Sequence, residues 1–431
     1  MFNVAVAGTG YVGLVAGVCF AEKGNNVICV DVNEEKIKIM QAGKSPIYEP
    51  RLDELMERNN NAGRLHYTTN YKEAYKDADF VFIGVGTPER PDGTANLDYV
   101  FGVAKQIAES IERDCVVVVK STVPIGTNDK VEKIIQENLK NDVKVYVASN
   151  PEFLAQGRAV RDTLEPSRIV IGTENEAARE KLSKLYANFD APKVFTNRRS
   201  AEMIKYASND FLALKISYIN DIANACEYLG ANVEDVALGM SYDERIGSKF
   251  LHPGCGYGGS CFPKDTKALY HLLNDEYGYE MKSIKATIDI NQEQKLVLYK
   301  KLKNYCPNLD GKTIAILGLT FKAGTDDLRE APSLDVVGKL LTETKAKLQA
   351  FDPVGINNYK KIYPTELTYF TSAREALKGA DICLIFTEWD EIRTLTEKDF
   401  IDNMKKPVIF DGRNLYEQKD MKDVEYYSIG R

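Results

Sequence analysis

The residues from Phe2 to Asp31 restrict most strongly what this chain can fold into. Phe2 to Ala7 is a short apolar run that enters Gly8-Thr9-Gly10-Tyr11-Val12-Gly13. LVAGVCFAEKG then has the pattern of a helix ending at Gly24, and a second apolar run, Asn26 to Val30, ends on Asp31. A bare GxGxxG is a common glycine turn. Set between a strand and a helix, with an acid closing the next strand, it is the arrangement that seats a pyrophosphate at a helix N-terminus and gives the ribose hydroxyls to the acid. The spacing predicts a dinucleotide site built on Gly8, Gly10, Tyr11, Val12, Gly13 and Asp31. A carboxylate repels a 2'-phosphate, so Asp31 favours NAD over NADP, although Lys36 stands near enough to neutralise part of that repulsion.

Three further strand-like runs end in polar or glycine-containing loops. Asp79 to Val85 leads into Gly86-Thr87-Pro88, Val116 to Lys120 into Ser121-Thr122-Val123-Pro124, and Val143 to Ala148 into Ser149-Asn150-Pro151-Glu152-Phe153. Ligands of open α/β sheets bind at the carboxyl ends of the strands. Thr122 and Glu152 are therefore candidates for a reaction site, and equally for ordinary turn or cap residues. Ser45 to Gly63 is expected to be a surface excursion. Ile169 to Gly172 is expected to be an edge strand, followed by a helix from about Glu176 to Phe189.

From Ser200 a helical pattern continues through AEMIKYASNDFLALKISYINDIANACEYLG, with Ile204, Ala207, Phe211, Leu214 and Ile222 expected on a broad buried face. Lys205 and Asn209, four residues apart, lie one turn from each other on one face and could address one substrate oxygen; a solvent-facing lysine and a backbone-satisfied asparagine is the other reading. The helix is too long for a sheet crossover. With the helical segment from about Met281 to Tyr305 it predicts a central helical domain and a surface for pairing with a second subunit. Between them lies PGCGYGGSCFPKD, Pro253 to Asp265, whose glycines lead to a thiol at its end, Cys261. It is either a presented nucleophile or a glycine-rich turn with a buried cysteine. After Pro307-Asn308-Leu309-Asp310-Gly311 a second α/β unit begins. Its strands are expected at Lys312 to Leu317, Ala346 to Phe351, Ile382 to Phe386 and Val408 to Phe410, with Lys322 and Arg329 placed to reach phosphates or an adjacent subunit.

Composition removes several function classes. A length of 431 residues calls for two or three domains, and a net charge of −7 gives no support to nucleic acid as a partner. The eight cysteines are scattered without a Cys-x-x-Cys pair and only three histidines occur, so no metal site is expected. The strand-like MFNVAVAG start and the lack of a membrane-length apolar run predict a cytoplasmic chain with reduced thiols.

The motifs VAVAGTGYVGL, GVGTP, KSTVPIGT, NPEFLAQGRAVRD, SAEMIKYASNDFLALKISYIND, RIGSKFLHPGCGYGGSCFPKD and GLTFKAGTDDLREAP, in that order, resemble the UDP-glucose/GDP-mannose dehydrogenase family of nucleotide-sugar dehydrogenases. The resemblance covers essentially the whole chain, and DERIGSKFLHPGCGYGGSCFPKD looks like the UDP-glucose branch. It implies two Rossmann-like α/β domains joined by a central helical domain with a long helix: an NAD-binding domain at 1–199, a catalytic and dimerising domain at 200–305 and a UDP-sugar-binding domain at 306–431. It implies a homodimer and a four-electron alcohol-to-acid oxidation through a cysteine. Matched residue by residue, Cys261 is the nucleophile, Lys205, Asn209 and Asp265 orient the sugar and stabilise charge, Glu152 activates water, and Thr122 stands near the nicotinamide. Substrate contacts fall on Glu152, Phe153, Leu154, Ala155, Gln156, Lys205 and Asn209 before the glycine-rich stretch. At and beyond it they fall on Phe250, Leu251, His252, Pro253, Gly254, Gly258 and Lys322, with Arg245 reaching across a dimer. Thr87, Lys264 and Arg329 join Asp31 and Lys36 as cofactor contacts. Two departures are Gln156, where some relatives carry glutamate, and Arg51, where glycine is common.

Overall fold

Runs such as VAVA, FVFI and CVVVV have no polar side to show to solvent, and they fold as strands of parallel sheets covered on both faces. The computed structural model describes residues 1–431, which divide into two compact units, Met1–Ser208 and Asn209–Arg431. The first holds an eight-stranded sheet in the order β3-β2-β1-β4-β5-β6-β7-β8. Its strands are β1 (Asn3–Ala7), β2 (Asn26–Val30), β3 (Leu65–Thr68), β4 (Phe80–Ile83), β5 (Cys115–Val119), β6 (Val145–Ser149), β7 (Ile169–Gly172) and β8 (Lys193–Thr196). All neighbours pair in parallel except β6 with β7. The order reverses direction between β1 and β4, which opens the crevice where a doubly wound sheet binds its ligand.

The second unit repeats the plan with β9 (Thr313–Leu317), β10 (Lys347–Phe351), β11 (Leu367–Tyr369), β12 (Ile382–Ile385), β13 (Val408–Asp411) and β14 (Glu425–Tyr427), ordered β11-β10-β9-β12-β13-β14 and parallel throughout. It also holds the helices Phe262–His271, Lys282–Gln294 and Val297–Tyr305. One helix of 32 residues, Arg198–Leu229, runs from the first unit into the second. The expected fold class is thus the observed one, two Rossmann-like α/β regions joined through a long helix. No helix is long and apolar enough to cross a membrane.

Three expectations are corrected. Ile169–Gly172 is an interior strand, because Lys193–Thr196, a four-residue segment with only two apolar side chains, pairs along its far side and forms the edge. The face assigned to the long helix holds only in part: Ile204, Leu214 and Ile222 are half-buried, but Ala207 is exposed and Phe211 is 60% exposed, while Lys205, Asn209, Asp210, Ser217 and Asn220 are buried. The polar side chains face inward where they have work to do, as Ser217 Oγ donates to Thr287 O at 2.9 Å and Asn220 Oδ1 accepts from Gly254 N at 2.8 Å. Finally, the Ser45 to Gly63 excursion is not all surface. Glu49 is buried and accepts from the backbone amides of Gly157 (2.8 Å) and Ala159 (2.6 Å), which fixes the loop that follows β6. Nearby, Arg51 has φ +67°, the left-handed conformation that glycine adopts without cost, which explains glycine as the common residue there.

Candidate active site

The first glycine turn is shaped by what it packs against. Gly8 has φ +94°, and a Cβ on Gly13 would lie 2.0 Å from Gly8 O, so neither position accepts a side chain. Gly10 caps the helix Tyr11–Glu22 with no side-chain hydrogen bond, and a Cβ there would meet no atom within 4 Å. Open space in front of helix amides is what a pyrophosphate requires. At the end of β2, Asp31 Oδ2 accepts from Thr9 Oγ1 (2.5 Å) and Thr9 N (3.1 Å), and Oδ1 from Asn33 N (3.0 Å). Burial raises the Asp31 carboxyl, but these bonds and the Lys36 ammonium at 3.9 Å outweigh it and hold the group below the usual carboxylate range. Thr87 Oγ1 donates to Thr122 O at 2.9 Å and so ties together the loops after β4 and β5. These residues fit a dinucleotide: uncovered amides for phosphate and an ionised acid for the ribose.

Beyond β6 the same unit holds a buried ion pair. Glu152 Oε1 lies 2.9 Å from Lys205 Nζ, both side chains almost wholly enclosed, and Glu152 Oε2 accepts from Leu154 N at 2.7 Å. Lys205 Nζ stands 5.6 Å from the centre of the Phe153 ring, whose face also carries the Arg168 guanidinium at 3.7 Å. The lysine is therefore not solvent-facing. A second buried lysine, Lys120, donates to Asn150 Oδ1 at 3.1 Å, and burial pushes it down to about 8, partly offset by Glu152. The cavity along this strand end measures about 290 Å³ and is lined by Lys120, Glu152, Phe153, Leu154 and Arg168 among others.

In the second unit the glycine-rich stretch is a pinned loop. Gly254 N donates to Asn220 Oδ1 and Gly254 O accepts from Gln294 Nε2 (2.8 and 2.7 Å), and Tyr257 exchanges both backbone bonds with the Asn291 amide (2.8 and 3.0 Å). A Cβ on Gly258 would sit 2.3 Å from Glu330 O, and one on Gly259 2.8 Å from the Phe321 ring. The lack of side chains there is thus a packing requirement of the loop on its own unit. The loop ends on Cys261, the N-cap residue of Phe262–His271 and the one exposed cysteine; Cys306 is half-buried and the other six are buried. A helix N-terminus favours negative charge at that position. One turn on, buried Asp265 accepts from Asn209 Nδ2 at 2.7 Å and pairs with Lys264 Nζ at 2.5 Å.

The remaining expected residues are more dispersed. Phe250 is held at φ +63° with its ring 6.3 Å from that of Phe262. Leu251, Pro253 and Gly254 are buried, and His252 Nε2 lies 3.0 Å from Arg413 O. Lys322 Nζ is 5.6 Å from the Phe321 ring, Arg329 is chelated by Asp327 (Nη2–Oδ2 2.6 Å), and Arg245 is exposed and paired with Asp243. Ala155 N is held by Asp162 Oδ2 at 3.0 Å, and Gln156 is half-buried beside it. Sequence reading missed the clamps Asn220, Asn291 and Gln294, and the acid Glu49. A signal existed for one pair: Asn291 and Gln294 are three apart, so they share a helix face, and both are buried.

Comparison with known proteins agrees along the whole length. Residues 2–190 match the NAD binding domain of the UDP-glucose/GDP-mannose dehydrogenase family, 199–293 its central domain and 315–418 its UDP binding domain. The UDP-glucose 6-dehydrogenase YwqF of Bacillus subtilis is 48% identical over 432 residues, covering 100% of this chain and 98% of that protein. Among solved structures, a UDP-glucose dehydrogenase from Pyrobaculum islandicum superposes with a TM-score of 0.93 at 37% identity, covering 99% and 97% of the two chains. A UDP-D-ManNAc dehydrogenase from Pyrococcus horikoshii gives 0.87 at 29% identity, covering 99% of each.

Proposed function

We propose a set of residue roles from one premise: the chain belongs to the UDP-glucose/GDP-mannose dehydrogenase family. It is an NAD-dependent dehydrogenase that oxidises UDP-glucose at C6 to UDP-glucuronate, consuming two NAD+ and one water and releasing two NADH with protons. Bound NAD+ supplies the hydride acceptor for both oxidation steps. Cys261 sulfur adds to the C6 aldehyde to give a thiohemiacetal, which on oxidation becomes a thioester. Water then opens the thioester, leaving the carboxylate and returning the thiol.

The other groups hold charge and protons. The Lys205 ammonium and the Asn209 amide donate to the oxygen on C6 as it becomes negative, and Asp265 fixes that amide by taking one of its two N–H groups. Glu152 takes the proton from the attacking water, with Thr122 beside it. The sugar nucleotide lies against Phe153, Leu154, Ala155, Gln156, Phe250, Leu251, His252, Pro253, Gly254 and Gly258, with Lys322 on the phosphates. Thr87, Lys264 and Arg329 complete the cofactor set. These roles divide over residues 1–199, 200–305 and 306–431. The chain works in the cytoplasm as a homodimer in which Arg245 serves the neighbouring subunit. Exposed Phe211, Tyr218 and Tyr228 on the long helix, Leu238 on the next helix, Val233–Ser241, and Tyr242 just past its end support such a pairing.

The observation that carries these roles is the single exposed thiol at the head of a helix whose Asp265 holds Asn209. Cys261→Ser is expected to lower kcat for NADH release by roughly 10³-fold or more, as nucleophile removal does, while NAD binding by fluorescence titration persists. Near-native NADH production by C261S rules out the covalent route.

A further inference from the structure

Asp210 follows Asn209 on the long helix and has no assigned task. It is 2% exposed, and neither of its carboxylate oxygens has a hydrogen-bond partner. An ionised carboxylate in that state is among the least favourable arrangements a protein interior offers. Its surroundings supply no relief. The titratable groups bearing on it are Asp265, from the helix Phe262–His271, and Tyr257, from the glycine-rich loop. Asp265 is already committed, with Oδ2 to Asn209 Nδ2 and Oδ1 to the Lys264 ammonium. Burial first, and the Asp265 charge second, push the Asp210 carboxyl up to about 8. Where two buried carboxyls interact and only one is ion-paired, the proton resides on the other.

We propose that Asp210 is a positioning residue that carries a proton in the working enzyme, leaving Asp265 as the single negative charge that holds the Asn209 amide. Ionisation of Asp210 sets a second charge against Asp265 and loosens that hold. This rests on the reading of Asn209 and Asp265 given above, and it predicts an alkaline loss of activity that originates behind the site.

The test follows kcat/KM for UDP-glucose at saturating NAD+ across pH for the native chain and for Asp210→Asn, which keeps the shape and cannot ionise. Above about 8, the ratio of D210N to native kcat/KM rises about tenfold per pH unit, as loss of one proton requires. Superimposable alkaline limbs overturn the positioning role. Infrared spectroscopy of the native chain needs neither turnover nor a folded variant: a carboxylic-acid C=O band present at neutral pH titrates away through about 8. A spectrum with no such titrating band overturns the proposal. Asp265→Asn separates the two levels. If D265N turns over like the native chain, the reading of Asn209 and Asp265 fails and the positioning role with it. If D265N is inactive and the limbs of D210N and the native chain superimpose, the Asp210 proposal alone fails.

Discussion

The two α/β units carry the same device at the same place and use it differently. In the first, the glycine turn after β1 faces Asp31 at the end of β2; in the second, Gly318-Leu319-Thr320 after β9 faces Asp352 at the end of β10. Asp31 is engaged only by Thr9, Asn33 and Lys36, and its side chain is 12% exposed beside the open space at Gly10. Asp352 is 1% exposed and spends both oxygens inside the protein. Oδ2 accepts from Leu319 N (2.7 Å), Thr320 N (3.1 Å) and Trp389 Nε1 (3.0 Å), and Oδ1 from Val354 N (3.0 Å) and Gly355 N (2.7 Å). An acid that binds a ribose must keep accepting capacity and a face toward solvent for it, and Asp31 Oδ1 takes only the one bond from Asn33 N. One fold therefore holds Asp31, proposed above as the ribose acid, with few bonds and some exposure, and ties Asp352 into a structural knot that leaves it none.

The comparison breaks most visibly at the consumed acid. Asp352→Ala takes the acceptor from four backbone amides at once and leaves the Trp389 indole only Thr320 Oγ1, and hydrogen bonds to a charged acceptor contribute about 1.5 to 3 kcal/mol each before any relaxation. Urea unfolding should show a loss of several kcal/mol, on the order of two such bonds, with unfolding of the second unit preceding that of the first. A stability equal to the native chain contradicts the structural role. Asp31→Ala should do the reverse. It is expected to weaken NAD about 10- to 100-fold, the equivalent of one or two charge-assisted bonds, with a small change in the unfolding midpoint. Because Asp31 is held below the usual carboxylate range, its contribution to folding is present at neutral pH, begins to fall once pH enters that range and is lost as pH drops through the lower value of the folded chain. D31A should then differ least from the native chain in acid.

The sequence made one half of this contrast legible. Gly8, Gly10, Gly13 and Asp31 announce their geometry because each is required by local backbone: a left-handed turn, an open cap, a close helix contact and a strand-end acid. The long helix was also readable in extent but not in orientation. Its apolar periodicity pointed to Phe211 on the inside, whereas the interior face is set by distant partners, Thr287 for Ser217, Gly254 for Asn220 and Asp265 for Asn209, which no local pattern encodes. The same holds for Glu49, whose backbone donors lie more than a hundred residues away, and for the edge strand Lys193–Thr196, too short and too polar to declare itself. Asp352 belongs to this class: five residues from three loops decide that it is structural, and the sequence shows only an acid after a strand.

The smallest expected effect sharpens the contrast most. The Trp389 indole donates to Asp352 Oδ2 at 3.0 Å and lies within the buried apolar cluster of the second sheet. Trp389→Phe retains most of the apolar ring and removes one donor, so the loss in urea unfolding should be about 1 to 2 kcal/mol, with NAD affinity and KM for UDP-glucose unchanged. The four backbone amides still satisfy the carboxylate, and the fold still closes round it. If W389F instead alters nucleotide affinity, then Asp352 is not fully consumed by its own unit, an oxygen released by the indole is available to a ligand, and the second turn is a working relative of the first.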